Sequence, residues 1–312
     1  MNLQDFCQTG AVQRNAPFVI DLPEHRLQYL PGGDTLVIAF DNAARPVSEA
    51  YEGRRTWGED FYQAEGHSIL GVIARRTDWY RDAALIEGLE SLRGFIAGFR
   101  RVVMSGGSMG GFAAGAFAPL APGCTVIALS PQSTLHRALV PWEWRYAEGQ
   151  RHDWSQPYFD AVDGVRSAGL TYLVYDQLDR LDRRHTMRFD ADPRIRHMRV
   201  PGAGHGVAPA LAQMGVLKDA TRAMIAGELE PEEFFRQVRV RRLAGQYHRV
   251  MASHAIAPSW QFASAKMPCL NSRHSNWTSS AIARCSKPKP INPLRVRRRP
   301  PLNRQESRPC QP

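Results

Sequence analysis

Short apolar runs recur through the first 250 residues of the chain and alternate with stretches of helical periodicity, clearest at residues 83–99 and 112–120. Eight of these runs are three to six residues long and are bounded by turn residues, which is typical of β-strands. They lie at residues 18–20, 26–30, 35–40, 68–73, 101–105, 125–129, 171–175 and 196–200. Strands that alternate with helices predict an α/β fold, in which a mainly parallel, twisted sheet has helices on both faces.

Residues 131–168 interrupt this alternation. They separate two predicted strands and hold Trp142, Trp144 and Trp154 among several charged residues. Two interpretations stay open for this segment. It forms a cap over a functional site, or it is an ordinary crossover whose aromatic side chains supply the packing.

The composition of the chain changes at about residue 250. Residues 251–312 hold 11 basic residues and one acidic residue, whereas residues 1–250 hold 29 of each, so the net charge of +10 comes from the C-terminal part. Residues 258–312 contain nine prolines, eight serines and no glycine, and they show no apolar periodicity. We therefore predict a folded domain at residues 1–250 and a disordered basic tail at residues 251–312.

Several classes of protein do not fit the sequence. The predicted domain is electrically neutral, which is unlike a nucleic-acid binder, and no window reaches the about 20 apolar residues of a membrane span. Residues 1–5 lack the features of a signal peptide, so a cytoplasmic location is expected. The five cysteines are scattered without C-x-x-C spacing, which predicts neither a zinc site nor a disulfide framework. No nucleic-acid or membrane partner, metal or organic cofactor is expected, and the oligomeric state is left open.

A glycine-rich turn after the fifth apolar run carries the strongest chemical signal. Residues 106–110 read Gly-Gly-Ser-Met-Gly and match G-x-S-x-G between a predicted strand and a predicted helix, the context of a nucleophile elbow. The turn is so tight that side chains two positions either side of the serine would collide, which requires glycine at both. Ser108 is therefore the candidate nucleophile, and the amide of Met109, at a helix N-terminus, is a candidate oxyanion donor.

Glycine-rich turns between a strand and a helix also bind phosphate groups or have a purely structural role. The dinucleotide-binding spacing G-x-G-x-x-G is absent here, and no lysine follows the turn as it does in a Walker A loop. An anion-binding turn and a structural turn remain alternatives, but the sequence favours the nucleophile elbow.

A serine nucleophile needs a base, and the base needs a third group to orient it. Of the ten histidines, His205 has the most suitable context, because it follows the last predicted strand in the segment Pro-Gly-Ala-Gly-His-Gly. Its alternative role is that of a loop histidine without chemistry. The acid is expected between serine and histidine in the chain order, after the strand that ends at residue 175. Asp182 is the preferred acid, its alternative role is a helix N-cap, and Asp176 and Asp179 are the other candidates.

These features resemble those of α/β-hydrolase-fold serine hydrolases over residues 15–250. More narrowly, the chain is similar to a little-characterised bacterial hydrolase-like group. The similar segments are Phe40-Asp41-Asn42, Trp57-Gly58, Asp78-Trp79-Tyr80-Arg81-Asp82, Ser108-Met109-Gly110-Gly111, Ser130-Pro131-Gln132-Ser133 and Leu181-Asp182-Arg183-Arg184-His185. The resemblance implies a second oxyanion donor among the backbone amides of Asp41 and Asn42, although the family's His-Gly pair is absent there.

The activity expected from these residues is cleavage of an acyl ester, either small or carbohydrate-linked, by a triad of Ser108, His205 and Asp182. The substrate is then the partner, a small-molecule or carbohydrate-linked ester. Two alternatives are kept: an acyltransferase with the same triad, and a non-catalytic binding or accessory protein on the same fold.

Overall fold

The computed structural model describes residues 14–42, 54–189 and 191–256. Eight strands of this part form one sheet. They are β1 (Phe18–Asp21), β2 (His25–Leu30), β3 (Thr35–Phe40), β4 (Ser68–Ala74), β5 (Arg101–Gly107), β6 (Thr125–Leu129), β7 (Leu170–Tyr175) and β8 (Ile195–Arg199). Each coincides with a predicted strand to within two residues at either end.

The order of strands across the sheet is β1-β2-β4-β3-β5-β6-β7-β8. The first two pairings, β1 with β2 and β2 with β4, are antiparallel, and all the others are parallel. The prediction of a mainly parallel sheet is confirmed. Because the parallel strands run in one direction, the loops that follow β3, β4, β5, β6, β7 and β8 leave the sheet at the same edge.

Both faces of the sheet are covered by helices. The helices are α1 (Glu59–Ala64), α2 (Ala83–Ser91), α3 (Arg93–Ala97), α4 (Met109–Ala116), α5 (Ala161–Gly164), α6 (Arg180–Thr186), α7 (Val207–Gln213), α8 (Leu217–Ala226), α9 (Pro231–Gln237) and α10 (Gly245–Ile256). Side chains of α2, α3, α4 and α5 share one apolar core, and those of α1, α7, α8 and α9 share the other. Strand β3 supplies both cores by alternation: Ile38 and Phe40 pack in the first, Val37 and Ala39 in the second.

The helical predictions need two corrections. The predicted helix at residues 83–99 is two helices, because a tight turn at Leu92, whose N–H bonds the Leu89 carbonyl, separates α2 from α3. The predicted helix at residues 112–120 belongs to α4, which begins earlier and ends at Ala116, and a 3₁₀ turn at Ala118–Leu120 follows. Pro119 lies in that turn and has no N–H with which to continue an α-helix.

The segment at residues 131–168 connects β6 to β7. It contains α5 and two 3₁₀ turns, Gly149–Arg151 and Val165–Ser167, but a long part of it has no regular structure. Its three tryptophans differ in environment: Trp154 is buried, Trp142 is half-buried and Trp144 is exposed.

The C-terminal helix α10 crosses residue 250, where the sequence predicts the domain to end. The chain divides into a unit of residues 1–258 and a unit of residues 259–312. Apart from residues 251–256 in α10, the predicted tail lies outside the described residues. Within the part of the chain that the structure describes, no helix is both long and apolar enough to cross a membrane.

The turn from β5 into α4 is as tight as the sequence predicts. A Cβ atom placed on Gly106 would lie 2.4 Å from the carbonyl carbon and oxygen of Gly110. Both atoms belong to the backbone of α4, so the contact could be relieved only if the helix moved away from the strand. Glycine at position 106 therefore allows the strand and the helix to approach each other across Ser108.

Replacement of Gly106 tests this close approach. We expect Gly106→Ala to lower the free energy of unfolding by about 1–3 kcal/mol, because the added methyl group overpacks a backbone contact. Gly94→Ala is the matched control, since a Cβ at Gly94 in α3 meets no atom within 4 Å and alanine favours a helix. Urea unfolding of the two variants measures the difference, and equal stabilities would contradict the interpretation.

Candidate active site

Ser108 lies between β5 and α4 with a strained backbone. Its φ is 52° and its ψ is −116°, a conformation that residues other than glycine rarely adopt. Two backbone hydrogen bonds hold it there: its N–H donates to Leu129 O at 2.8 Å, and its carbonyl accepts from Phe112 N at 3.0 Å. The hydroxyl is thereby presented at the edge of the sheet where the loops after the parallel strands meet.

His205 lies in the loop between β8 and α7. Gly204, which precedes it, has a φ of 59°, and its N–H donates to Asp176 Oδ2 at 2.7 Å. From the other side, Gln246 of α10 donates through Nε2 to Ala203 O at 2.6 Å and to Gly206 O at 2.8 Å. The loop is thus held by a side chain at the end of β7 and by another in the C-terminal helix.

The structure brings three of the predicted residues into one hydrogen-bonded chain. His205 Nε2 lies 2.9 Å from Ser108 Oγ, and His205 Nδ1 lies 2.8 Å from Asp182 Oδ2. Asp182 is fully buried in α6, whereas the side chain of His205 is about one third exposed. A carboxylate only accepts hydrogen bonds, so Nδ1 carries the proton and Nε2 is free to accept the proton of the serine.

The other two candidate acids have different roles. Asp179 is the N-cap of α6, where its Oδ1 accepts from the amides of Leu181 and Asp182, each at 3.0 Å. The N-cap role considered for Asp182 therefore belongs to Asp179. Asp176 is fully buried at the end of β7, where it accepts hydrogen bonds from the backbone amides of Leu178 and Gly204.

The structure separates the candidates for the oxyanion donors. Met109 is the first residue of α4, directly after Ser108. The amide of Asp41 donates to Val72 O at 3.3 Å as part of the sheet, which argues against Asp41 as a donor. Its carboxylate pairs with Arg54 Nη2 at 2.9 Å; burial raises the pKa of Asp41 to about 6, although Arg54 partly offsets this effect. Asn42 is the remaining candidate in that loop.

Two residues of the segment at residues 131–168 contact the serine and the histidine. The Oη atom of Tyr146 lies 3.2 Å from His205 Nε2, and Gln132 Oε1 lies 3.5 Å from Ser108 Oγ. Sequence reasoning missed both. A cap is one of the two interpretations of this segment, but nothing in its pattern singles out Tyr146. Gln132 appears in the sequence analysis only within Ser130-Pro131-Gln132-Ser133, without a role.

A third residue that the sequence reasoning missed, Arg145, bonds the other oxygen of the Asp182 carboxylate. Its Nη1 lies 2.8 Å from Asp182 Oδ1, and its Nη2 lies 2.7 Å from Glu143 Oε2. Glu143 is buried and also contacts His185 Nε2 at 3.0 Å. His185 Nδ1 accepts from the amide of Ser133 at 3.1 Å, which places its proton on Nε2, facing Glu143. The buried charges of the two acids are therefore compensated by one shared guanidinium and by one imidazole N–H each, from His205 on Asp182 and from His185 on Glu143.

These contacts shift the pKa values of the buried groups. Burial alone would raise the pKa of Glu143, but the hydrogen bonds from His185 and Arg145, together with the charge of Arg145, lower it to about 2. Burial lowers the pKa of His185, and Glu143 only partly offsets this effect, which keeps the imidazole neutral. Burial would also lower the pKa of Arg145, but Glu143 and Asp182 raise it.

No metal-binding cluster is apparent in the described part of the chain: nowhere in residues 14–42, 54–189 and 191–256 do three His, Cys, Asp or Glu side chains lie together as ligands. The arrangement around Ser108 is suited to nucleophilic chemistry: a hydroxyl on a strained turn, an imidazole nitrogen within hydrogen-bond distance of it, and a buried carboxylate behind the imidazole.

Glu143→Gln tests the electrostatic contribution of this cluster. The pKa of Glu143 is lowered in the folded protein from 4.5 to about 2, so its charge stabilises the fold above about pH 5 and this contribution is lost as the pH falls towards 2. We expect the variant to be less stable than the parent by about 3 kcal/mol at pH 7 and by less than about half of that at pH 3.

Urea unfolding of both proteins between pH 7 and pH 3 measures this difference. The control is Glu148→Gln, because Glu148 forms an exposed surface pair with Arg151 and we expect no pH-dependent change. A difference between parent and Glu143→Gln that stays constant over this pH range would contradict the lowered pKa.

Comparison with known proteins gives matches among solved structures only. No protein-family model matches the chain, and no curated protein matches it. The narrower resemblance to a bacterial hydrolase-like group therefore stays a prediction.

Three of the similar structures illustrate the likeness. An esterase of Pyrobaculum calidifontis is 14% identical, with 72% of this chain and 87% of the esterase covered and a TM-score of 0.48. The substrate-bound fluorophosphonate-binding serine hydrolase F of Staphylococcus aureus is 13% identical, with coverage of 67% and 97% and a TM-score of 0.45. The capsule O-acetyltransferase of Neisseria meningitidis serogroup A is 14% identical, with coverage of 70% and 97% and a TM-score of 0.44.

The fold itself is identified by the chain's own topology. A parallel sheet extends from β4 to β8, β2 is antiparallel to β4, and β3 lies between β4 and β5. A strained serine joins the central strand β5 to the helix that follows it. With this strand order and this nucleophile elbow, the chain has the α/β-hydrolase fold.

Proposed function

We propose that the protein is a serine hydrolase that cleaves acyl esters, small or carbohydrate-linked. The observation that carries the proposal is the continuous chain of hydrogen bonds from Ser108 through His205 to Asp182, at 2.9 Å and 2.8 Å. A serine hydroxyl is a weak nucleophile on its own, and this arrangement supplies both the base and the group that orients the base.

In the first half of the proposed reaction, Ser108 Oγ attacks the carbonyl carbon of the ester and its proton moves to His205 Nε2. Asp182 accepts the hydrogen bond from Nδ1 and stabilises the imidazolium. The carbonyl oxygen becomes an oxyanion, for which the amides of Met109 and Asn42 are the proposed donors. When the tetrahedral intermediate collapses, the bond to the alcohol oxygen breaks and that oxygen takes the proton from Nε2.

In the second half, a water molecule attacks the acyl group on Ser108, with His205 again as the base. The acid product leaves and Ser108 regains its proton. Arg145 does not touch the reacting atoms in this scheme. It holds Asp182 through the carboxylate oxygen that faces away from His205, so that the orientation of Asp182 depends on Arg145 and on Glu143 behind it.

The first test is covalent labelling with a fluorophosphonate probe. We expect the parent protein to be labelled and Ser108→Ala to remain unlabelled, because the probe reacts only with an activated serine. Hydrolysis of acetate esters by the parent then establishes the reaction, and product analysis with an added alcohol distinguishes hydrolysis from acyl transfer. A correctly folded parent that is not labelled would contradict the proposal.

The assignment of the acid is tested with two variants of neighbouring aspartates. We expect Asp182→Asn to lower kcat by about 10,000-fold, because an amide can hold His205 in the wrong tautomer. Asp179→Ser should preserve the cap of α6 and leave kcat within a few-fold of the parent. Steady-state kinetics on one acetate ester, with unfolding temperatures as the control for folding, compares them. A larger loss in Asp179→Ser would reverse the assignment.

A further inference from the structure

Tyr146 occupies the space next to the proton-transferring nitrogen of the active site. Its Oη lies 3.2 Å from His205 Nε2, the same nitrogen that lies 2.9 Å from Ser108 Oγ. Tyr146 belongs to the segment that connects β6 to β7, and its hydroxyl is within hydrogen-bond distance of this nitrogen. The hydroxyls of Tyr146 and Ser108 therefore converge on one atom.

The phenol ring is held in this position on several sides. The ring centroid of Trp79 lies 5.0 Å from that of Tyr146, and the guanidinium carbon of Arg145 lies 5.1 Å from the same centroid. Gln132, which is fully buried, directs Nε2 towards Tyr146 Oη at 3.5 Å. These contacts fix the ring over the catalytic histidine and leave it half-buried.

The hydroxyl of Tyr146 is suited to donate a hydrogen bond. Burial raises the pKa of Tyr146, so the phenol keeps its proton at neutral pH. Gln132 supplies an N–H to the oxygen, which leaves the O–H of the phenol to act as the donor. Once His205 is protonated at Nε2, that nitrogen can no longer accept a hydrogen bond, so the O–H must be directed towards another acceptor.

The leaving-group oxygen of the ester supplies such an acceptor. To take the proton from Nε2, this oxygen must come within hydrogen-bond distance of the same nitrogen that Tyr146 Oη already approaches. We propose that Tyr146 donates a hydrogen bond to the leaving-group oxygen as the carbon–oxygen bond of the ester breaks. This role rests on the proposed esterase function.

The atoms and electrons of the step balance without a further reactant. The electron pair of the breaking carbon–oxygen bond passes to the leaving oxygen, and the proton of His205 Nε2–H moves onto it. Tyr146 keeps its own proton and only stabilises the developing negative charge. The benefit grows with the charge on that oxygen, so it is larger for a strongly basic alkoxide than for a weakly basic phenolate.

The experiment measures this dependence on the leaving group. The substrates are 4-nitrophenyl, phenyl, trifluoroethyl and ethyl acetate, which share one acyl group, and kcat/KM reports the steps up to formation of the acyl-enzyme. We expect Tyr146→Phe to lower kcat/KM by less than about 3-fold for 4-nitrophenyl acetate and by about 10- to 100-fold for ethyl acetate. The hydroxyl of 3-fluorotyrosine is a stronger hydrogen-bond donor than that of tyrosine. Its introduction at position 146 should therefore raise kcat/KM for ethyl acetate relative to kcat/KM for 4-nitrophenyl acetate.

Two controls separate this role from a structural one. Tyr158→Phe removes a hydroxyl that bonds Glu90 and Arg93 away from the triad, and we expect all four rates to stay unchanged. Labelling of Tyr146→Phe by the fluorophosphonate probe reports whether Ser108 and His205 are still paired, and its unfolding temperature reports its folding. If Tyr146→Phe does not fold, the fluorotyrosine variant alone tests the proposed hydrogen bond to the leaving-group oxygen.

The outcomes of the two proposals differ. A labelled parent, together with rates that fall equally across the series or do not fall at all, would overturn the role of Tyr146 and leave the esterase proposal in place. A folded parent that is neither labelled nor active would contradict the proposed function and the role of Tyr146 with it.

Discussion

The buried carboxylate of Asp182 is the interaction on which the arrangement of the site depends. A fully buried negative charge destabilises a fold unless hydrogen bonds and opposite charge compensate it. Asp182 receives both: His205 Nδ1 bonds one oxygen at 2.8 Å, and Arg145 Nη1 bonds the other at 2.8 Å. One carboxylate thus connects the histidine loop after β8 to the segment before β7.

The guanidinium that compensates Asp182 needs support of its own. Arg145 bonds the buried Glu143, Glu143 bonds His185, and His185 accepts from the amide of Ser133. His185 and Asp182 both lie in α6, so the contacts that run from Asp182 through Arg145 and Glu143 to His185 start and end on the same helix. The segment at residues 131–168 is therefore both a crossover from β6 to β7 and a source of contacts to Asp182 and His205.

The sequence predicts the elements of this fold better than the site that they build. Each strand is encoded locally by an apolar run between turn residues, and the elbow is encoded by two glycines around Ser108. Arg145 and Asp182 are 37 residues apart in the sequence, and Tyr146 and His205 are 59 residues apart. No local sequence pattern indicates which side chains so far apart will be in contact in the fold. The choice among the three aspartates cannot be made from the sequence for the same reason. Asp179, which caps α6, and Asp182, which contacts His205, are only three residues apart.

Backbone strain in this molecule is concentrated where the loops leave the sheet. Among the described residues, those other than glycine with positive φ include Ser108 after β5, Ser130 after β6, and Trp79 and Tyr80 after β4. Each is held by contacts that compensate part of the strain: Ser130 N bonds Val174 O, Tyr80 Oη bonds Asp41 O, and Trp79 packs on Tyr146.

Such conformations cost about 1–3 kcal/mol each and persist only where the surrounding structure requires them. In this protein the strained residues lie where a loop changes direction at the edge of the sheet. A residue with positive φ can turn the chain within one or two positions and so direct a side chain or a carbonyl over the edge of the sheet. The positive φ at Ser108 directs its hydroxyl towards His205. The positive φ at Trp79 and Tyr80 accompanies the packing of Trp79 on Tyr146 and the hydrogen bond from Tyr80 to the carbonyl of Asp41. The loops that follow β4, β5 and β6 thus bring Trp79, Ser108 and Tyr146 together at one edge of the sheet, beside His205.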